Sequence, residues 1–493
     1  MTLRLTATVA LLTLLAGCSV GPDHVRPEVA ADMPGQWARP TLAEALPDSS
    51  AGDHWRWWES FADTTLNSLV EQALAHNNDL AAAAGRVLEA EALLGGAKAG
   101  QWPRIEVGGS ASRSKVSSNQ TFGFMDPYRN VYSLSANLSY EIDLWGRLSR
   151  GKEAALATLL ASEQDRRAVA QSLIAGVVRT WLEIRELQLQ VALNERTVSN
   201  FTQNLETVRG RYQRGLVTAL DVHLATQNLA AARAAGPTFR QNLARARRQL
   251  EILVGRYPDG LITASDLDLA DGRLADAVMP EPLPPVPAGL PGELLERRPD
   301  LVAAEMRLHA SVARIGEAKA GLYPRISLTG SAGSTSSELS DLFTDPTSVW
   351  SLAGNLFMPL INRGATQAQI KAAEARADQA VAGFRSSVLK AFAEVENALD
   401  QDHYQSRQET FLEDSVLQAR RAVGLAESRY GRGLDNILVA LELQRRLYTA
   451  ESNLLTTQRL RRTARVNLIL ALGGPWEEID QPEMANAQQG ADQ

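Results

Sequence analysis

The sequence has few of the residues that support catalysis, metal binding or nucleic-acid binding. Cys18 is its only cysteine, so no disulfide can form within the chain. The formal net charge is -7, which gives a nucleic-acid partner no electrostatic support. The six histidines include no pair at metal-ligand spacing, and no nucleophile elbow or zincin motif occurs. We therefore predict a protein that is not an enzyme and needs no metal or cofactor.

Long hydrophobic runs are also missing, apart from a short one at the N-terminus. Arg4 is followed by an apolar run from Leu5 to Leu15, and Ala16-Gly17 then leads to Cys18. This run is too short for a transmembrane helix and is typical of a lipoprotein signal peptide, here residues 1–17. We expect Cys18 to carry a diacylglycerol on sulfur and an N-acyl group. Ser19 favours sorting to the outer membrane rather than retention at the inner one.

The chain contains two copies of one pattern. Residues 97–105 recur at 318–326, and the Arg211-Tyr212 pair recurs as Arg429-Tyr430. A period of this length indicates a duplicated half-molecule rather than a solenoid. The prolines of residues 279–292 exclude helix and sheet there, so this segment separates the halves.

Each half changes its hydrophobic period in the same order. Residues 65–100 have helical spacing and end before Pro103, whereas apolar and polar residues alternate from Tyr132 to Leu144. The apolar positions from Leu173 to Tyr212 then form a coiled-coil seam with one omission, at Asn194. The predicted strands are about 104–116, 130–145, 325–336 and 348–361, and the long helices about 147–209, 217–254, 364–430 and 435–472. The predicted regions are the signal peptide 1–17, a lipid-anchored periplasmic segment 18–64, a first repeat 65–278, a proline-rich linker 279–292, a second repeat 293–473 and a tail 474–493.

Four strands are too few for a membrane-spanning structure made from one chain. Lipid tolerates no unpaired sheet edge, and the smallest barrels need about eight strands. Strands that face lipid would therefore require a cyclic homo-oligomer. The alternative is a soluble β-sandwich with one wet face, which alternation alone does not exclude.

Several motifs resemble the outer-membrane efflux lipoproteins of the OprM and NodT type, within the TolC superfamily. They are Trp57-Trp58, Phe61, Asp63 and Leu66, the strings 141–147 and 294–300, and the paired Arg-Tyr-x-x-Gly tips. The resemblance implies an α+β membrane protein, namely a homotrimer with a twelve-stranded β-barrel continuous with a periplasmic α-helical barrel. It also implies an outer-membrane location and two partners, a periplasmic adaptor and an inner-membrane RND-type transporter. Asn362 departs from the family pattern, in which aspartate is common.

The tips between the long helices are the predicted functional site. In the family this region is the periplasmic gate and the adaptor contact. The gate residues implied here are Arg211, Tyr212 and Asp221 in the first tip, and Arg429, Tyr430, Arg432 and Asp435 in the second. The expected adaptor contacts are Gly215, Leu216, Gly433 and Leu434. A ring of Asp435 carboxylates would favour cations. The alternative is that these are ordinary solvated hairpin charges.

The predicted function is passive conduction of drugs and other small amphiphiles as the exit channel of a tripartite efflux pump. Two alternatives stay open, a duct for protein secretion and a non-conducting periplasmic lipoprotein. A metal-efflux role is disfavoured by the small number of methionines. The run from Gly146 to Lys152 has the spacing of a phosphate-binding loop, but Glu153 stands where a Ser or Thr must bind Mg²⁺.

Overall fold

A computed structural model describes residues 20–27, 36–38, 56–115, 128–260, 262, 279–284 and 291–474. The predicted signal peptide and Cys18 lie outside these residues. The chain divides into two compact units, which are described separately. The first comprises Met1–Val29, Ala84–Asp165 and Asp300–Ser387, and the second comprises Ala30–Ala83, Arg166–Pro299 and Val388–Gln493.

Long helices and one sheet make up most of the described residues. The helices are α1 (Thr64–His76), α2 (Asn78–Ala99), α3 (Arg147–Gln213), α4 (Ala219–Leu253), α5 (Leu294–Arg297), α6 (Pro299–Ala320), α7 (Ala365–Gly431) and α8 (Ile437–Ala471). The strands are β1 (Arg104–Lys115), β2 (Tyr128–Ile142), β3 (Arg325–Ser336) and β4 (Ser348–Phe357). No helix in the described part of the chain is both long enough and apolar enough to cross a membrane.

The sheet of the first unit is antiparallel, in the order β1-β2-β3-β4. Its register places most of the apolar residues of the four strands on one face, because paired residues share a face. Two successive rows on this face are Ile105, Leu138, Gly330 and Leu352, and then Val107, Ala136, Ala332 and Trp350. The alternation seen in the sequence therefore becomes a continuous apolar surface.

The opposite face of the sheet is mostly polar, although it also carries Val131, Val349 and Phe357. One of its rows is Glu106, Asn137, Ser331 and Ser351. Hydroxyl groups bond across the strands, with 2.7 Å between the Oγ atoms of Ser110 and Ser133 and 2.8 Å between those of Ser331 and Ser351. Both β1 and β4 are edge strands of this sheet, so each has one side that pairs with no other strand among the described residues.

Several predicted element ends are wrong, each for a local reason. The second strand ends at Ile142 rather than 145, because the carboxylate of Asp143 accepts the amides of Leu148 and Ser149 at 2.9 and 2.7 Å. The fourth ends at Phe357 rather than 361, just before Pro359, which cannot donate to a ladder.

The helix ends also differ from the predicted ones. The helix predicted for 65–100 is interrupted at Asn77, whose side chain accepts the amides of Asp79 and Leu80 and so starts α2. The long helix predicted to end at about 209 continues to Gln213 as α3. The remaining long helices differ from the predicted ranges by one or two residues at each end.

The main apolar core of the second unit lies where α3 and α4 pack with the N-terminal helix α1. Trp58, Leu66, Trp181 and Leu250 are at most 1% exposed there. Trp181 belongs to the seam predicted along α3, as do Leu173, Val177, Ile184 and Leu187 in the same cluster. The apolar face of α3 is therefore buried by its neighbours, as its spacing requires.

Asn194, the omission in that seam, has a structural role. Its side-chain amide donates to the carbonyl of Ala232 on α4 at 2.9 Å. A Cβ atom added to Gly236 would lie 2.8 Å from Asn194 Oδ1, and Pro237 follows within the helix. Gly236 thus leaves room for the Asn194 side chain, and a polar residue of α3 contacts the backbone of α4.

The inter-repeat segment contacts α8 in the same unit. Arg462 donates to the carbonyl of Pro280, and Arg465 donates to that of Leu283 at 2.8 Å. Arg465 is also paired with Asp402 of α7, and both side chains are buried. Buried charges hold this segment against the second hairpin.

Candidate functional site at the hairpin tips

The first tip is a helix-ending turn whose shape follows from its sequence. The amide of Leu216 donates to the carbonyl of Arg211 at 3.0 Å, and that of Gly215 donates to Tyr212 at 2.8 Å. Gly215 has a φ of 70°, in the left-handed region that favours glycine. This pair of bonds defines a Schellman motif.

The second tip has the same turn. The amide of Leu434 donates to Arg429 at 2.9 Å and that of Gly433 to Tyr430 at 2.9 Å, while Gly433 has a φ of 76°. The repeated Arg-Tyr-x-x-Gly-Leu pattern therefore encodes a helix stop. The glycine supplies the conformation, and the arginine and tyrosine carbonyls accept the closing bonds.

The tips differ at the residue after the shared leucine, which is Val217 in the first and Asp435 in the second. In the second tip Arg429 Nε donates to Asp435 Oδ2 at 2.5 Å. This hydrogen bond and charge lower the pKa of the Asp435 carboxyl and raise that of Arg429. Both groups are solvated, so the pair is local and weak.

Arg211 has no carboxylate at the corresponding position of its own tip and contacts the other tip instead. Its guanidinium carbon lies 4.0 Å from the centre of the Tyr430 ring. Both of its terminal nitrogens lie 3.3 Å from the Tyr430 carbonyl oxygen. A cation–π contact and two hydrogen bonds thus join the hairpins of one chain.

The two tyrosines of the repeated motif have different surroundings. Tyr430 is 8% exposed and packs in an apolar cluster with Phe201, Leu205 and Val208 of α3. Tyr212, the last member of the predicted seam, is 49% exposed and does not join it. The motif leucines Leu216 and Leu434 are more than half exposed. The tips therefore present apolar groups to solvent while Tyr430 holds them together.

The structure places the predicted gate residues in separate groups. It brings Arg211 to Tyr430 and Arg429 to Asp435, and it leaves Arg432 exposed. Asp221 is buried in a capping box, where its carboxylate accepts the Thr218 amide at 2.8 Å. The carboxylate of Asp221 is thus used in starting α4. Gating itself stays a prediction.

Two structural contributors were not predicted as site residues. Val217 matters because a carboxylate there would compete for Arg211, and Thr218 begins α4. Placing the two copies of the motif side by side identifies Val217, because it occupies the position of Asp435. Thr218 can be identified from its spacing to Asp221, which is that of a capping box.

The run from Gly146 to Lys152, whose interpretation as a phosphate-binding loop the sequence already opposes, is accounted for by helix capping. The amides after Gly146 that a phosphate would require are bonded to Asp143. Across the described residues no three His, Cys, Asp or Glu side chains are arranged to hold a metal ion.

A duplicated chain with paired long helical hairpins and a two-faced four-stranded sheet has the architecture of a TolC-like outer-membrane channel. A family model described as outer membrane efflux protein matches residues 69–256 and 290–474. The chain therefore belongs to the outer membrane efflux protein family. This is a family of transport proteins rather than enzymes.

Individual relatives agree with this membership. The chain is 34% identical to the pyoverdine export outer membrane protein OpmQ of Pseudomonas putida, over 94% of this chain and 96% of that one. It is 33% identical to the outer membrane protein OprJ of Pseudomonas aeruginosa, over 94% of each chain. A solved structure of the outer-membrane channel OprN has a TM-score of 0.83 and 31% identity, covering 93% of this chain and all of that one. The predicted family, fold, outer-membrane location and efflux function are confirmed.

Proposed function

We propose that three copies of this chain form the exit channel of a tripartite efflux pump, which conducts small molecules passively and needs no cofactor. The observation that carries this proposal is the open, two-faced sheet. Trp350 and Leu352 on β4 are 81% and 72% exposed, and Val107 on β1 is 74% exposed. An apolar face of this extent is unfavourable in water, and unpaired edges are unfavourable in lipid.

Three sheets joined edge to edge would solve both problems. Pairing β4 of one chain with β1 of the next would close a twelve-stranded barrel with its apolar face toward lipid. The serine-rich face would then line water. This arrangement agrees with the TolC-like fold and favours a channel over a soluble sandwich.

The periplasmic end is proposed to close at the tips. The contact between Arg211 and Tyr430 would hold the two hairpins of each chain together in the closed state. The exposed Leu216 and Leu434, each beside its turn glycine, are the proposed contacts for a periplasmic adaptor. An inner-membrane transporter would supply the energy. Cys18 is proposed to carry the lipid anchor.

The proposed cargo is small molecules rather than proteins. Relatives are named for pyoverdine export, antibiotic efflux and toluene efflux. These names cover chemically unlike small compounds, which supports a duct with little selectivity of its own.

Two neighbouring residues on opposite faces of β4 test the channel. Leu352→Arg puts a charge on the proposed lipid face and should cost roughly 2 to 4 kcal/mol if that residue lies near the bilayer midplane. Ser351→Arg puts the same charge on the proposed water face and should be tolerated. Assembly is measured by native mass spectrometry and conduction in planar bilayers.

The expected result is trimers and discrete conductance for the native chain and Ser351→Arg, with loss of both in Leu352→Arg. Equal tolerance of the two charges would contradict a lipid-facing sheet. A native chain that is monomeric, or that shows no conductance even after Arg211→Ala, would contradict the channel.

A further inference from the structure

The N-terminal segment of residues 20–27 is docked on the first unit through a very close backbone contact. The Val20 amide donates to the Trp145 carbonyl at 3.2 Å. A Cβ atom on Gly21, whose φ is 114°, would lie 2.4 Å from Gly316 Cα, and one on Gly316 would lie 2.7 Å from the Val20 oxygen. Only glycine at both positions permits this approach.

Charged side chains hold the segment on either side of His24. Asp23 accepts a hydrogen bond from Arg150 of α3 at 2.7 Å. Arg26 donates two bonds to Glu305 of α6, at 2.8 and 2.6 Å. The bidentate geometry fixes the direction of the segment along α6.

His24 itself is stacked on a second histidine. Its ring centre lies 4.7 Å from that of His309 on α6, and the ring planes are 13° apart. Both ring nitrogens of His24 are buried without a hydrogen bond, and Nε2 lies 3.7 Å from Glu305 Oε1. His309 Nε2, in contrast, lies 2.8 Å from Glu153 Oε1.

Burial, together with neighbouring charged groups, disfavours a proton on His24. The charged groups nearby are Asp23 and Arg26 in its own segment, His309 and Glu305 on α6, and Arg150 and Glu153 on α3. Glu305 is engaged by Arg26, and Arg150 bonds both Asp23 and Glu153. Burial and the neighbouring His309 therefore lower the pKa of His24, although Glu305 opposes the shift.

We propose that the stacked His24–His309 pair is a pH-sensitive clasp, which holds residues 20–27 on α3 and α6 at neutral pH and releases them in acid. Protonated His24 would place a positive charge beside Arg26 and against the stacked ring of His309, which is unfavourable in the docked state. Since this segment follows the proposed lipid anchor, release would change how the anchor is tethered to the helices.

The direction of the effect follows from linkage. The docked state disfavours protonated His24, so the released state binds the proton more readily. Docking is therefore strongest above the ordinary histidine pKa of 6.5, weakens as the pH falls from there toward the lowered pKa of the docked state, and levels off below it.

Distance measurements between spin labels test the clasp in the full-length protein, diluted with unlabelled chains. One label replaces Val25, which is 79% exposed, and the other replaces Leu156 of α3, in the same unit. At about pH 7.5 we expect one narrow distance distribution, and at about pH 5.5 a broad one. Protein without the engineered cysteines must take up no label.

Three variants separate the clasp from other acid effects. His24→Phe keeps the stacked ring but cannot titrate, so its distribution should stay narrow at both pH values. Gly316→Ala should be broad at both, because its methyl group excludes the segment. His223→Phe changes an exposed histidine elsewhere and should behave like the native chain.

Two outcomes would overturn the proposal. They are a narrow distribution in acid for the native chain, and acid release that persists in His24→Phe. If phenylalanine disturbs docking at neutral pH, His24→Gln gives the same test, since glutamine does not titrate either. A narrow distribution in Gly316→Ala would contradict the docking contact itself.

Discussion

The two hairpin tips have the same backbone turn but different side-chain contacts. Arg211 and Arg429 occupy equivalent positions in the two Schellman motifs. Arg429 is held within its own tip by Asp435, whereas Arg211 has Val217 at that position and reaches Tyr430. Equivalent arginines thus form a local ion pair in one tip and a contact between hairpins in the other.

The hairpins also differ at a distance from the tips, within the second unit. The first, α3 with α4, packs through an apolar core around Trp181 and Leu250. The second, α7 with α8, contains the buried Arg465–Asp402 pair that also holds the inter-repeat segment. The second hairpin thus adds a buried ion pair to apolar packing in which both hairpins take part.

The largest effect is expected from breaking the buried pair. Asp402→Ala leaves Arg465 buried without its carboxylate and should destabilise the protein by roughly 3 to 5 kcal/mol. The matched control is Glu195→Ala, which removes a solvated partner of Arg240 on the first hairpin and should cost about 0 to 1 kcal/mol. Thermal unfolding in detergent measures both. Equal losses would show that the buried pair has no special role.

A smaller effect is expected from removing the contact between the tips. Arg211→Ala loses a cation–π contact and two hydrogen bonds, together roughly 1 to 2 kcal/mol. The open-to-closed ratio of the channel should rise about tenfold per chain, since 1.4 kcal/mol is a factor of ten. Bilayer recordings measure this ratio. Arg214→Ala is the control, because Arg214 bonds only its own helix at Gly210 among the contacts described, and it should change little.

Converting the first tip to the chemistry of the second should have an intermediate effect. Val217→Asp places a carboxylate where Asp435 stands in the other copy, so Arg211 can pair locally and leave Tyr430. We expect a rise in open probability smaller than that of Arg211→Ala, and none when Val217→Asn is substituted. Unchanged gating in Val217→Asp would show that this position does not decide where Arg211 bonds.

The smallest effect is expected from the reverse change, Asp435→Val. The pair that it removes is solvated, so the open probability should change by less than about twofold. Arg429 lowers the pKa of Asp435, so the native pair is lost only as the pH falls through a value below 3.8. Conductance that responds to Asp435 between about pH 5 and pH 8 would contradict this description.

The sequence predicted the sheet faces and the long helices because both depend on repeated hydrophobic spacing. Alternation along β2 and β4 placed Leu138 and Leu352 on one face before any register was known. It did not predict where strands stop, because the Asp143 side chain decides that for β2. It also did not predict the interruption at Asn77, which is likewise a local side-chain bond.

The tips were located from the repeated motif, but their contacts could not be derived from it. Arg211 and Tyr430 are 219 positions apart, and no local pattern shows that they meet. Asp221 looked like a gate residue because it is charged and near a tip, although its spacing from Thr218 marks a capping box. The repeated motif thus predicted where the tips lie, but it did not predict which residues contact each other there.

The order of strand pairing has a consequence for how the chain folds. The β1–β2 and β3–β4 pairs each join strands that are neighbours in sequence, whereas β2–β3 joins the two halves, for example Ile142 to Ile326. Contacts between distant residues form later, because the intervening chain must first lose entropy. The strand pair of each half should therefore form early. The β2–β3 pairing between the halves should form later, after the helices that lie between these strands in sequence.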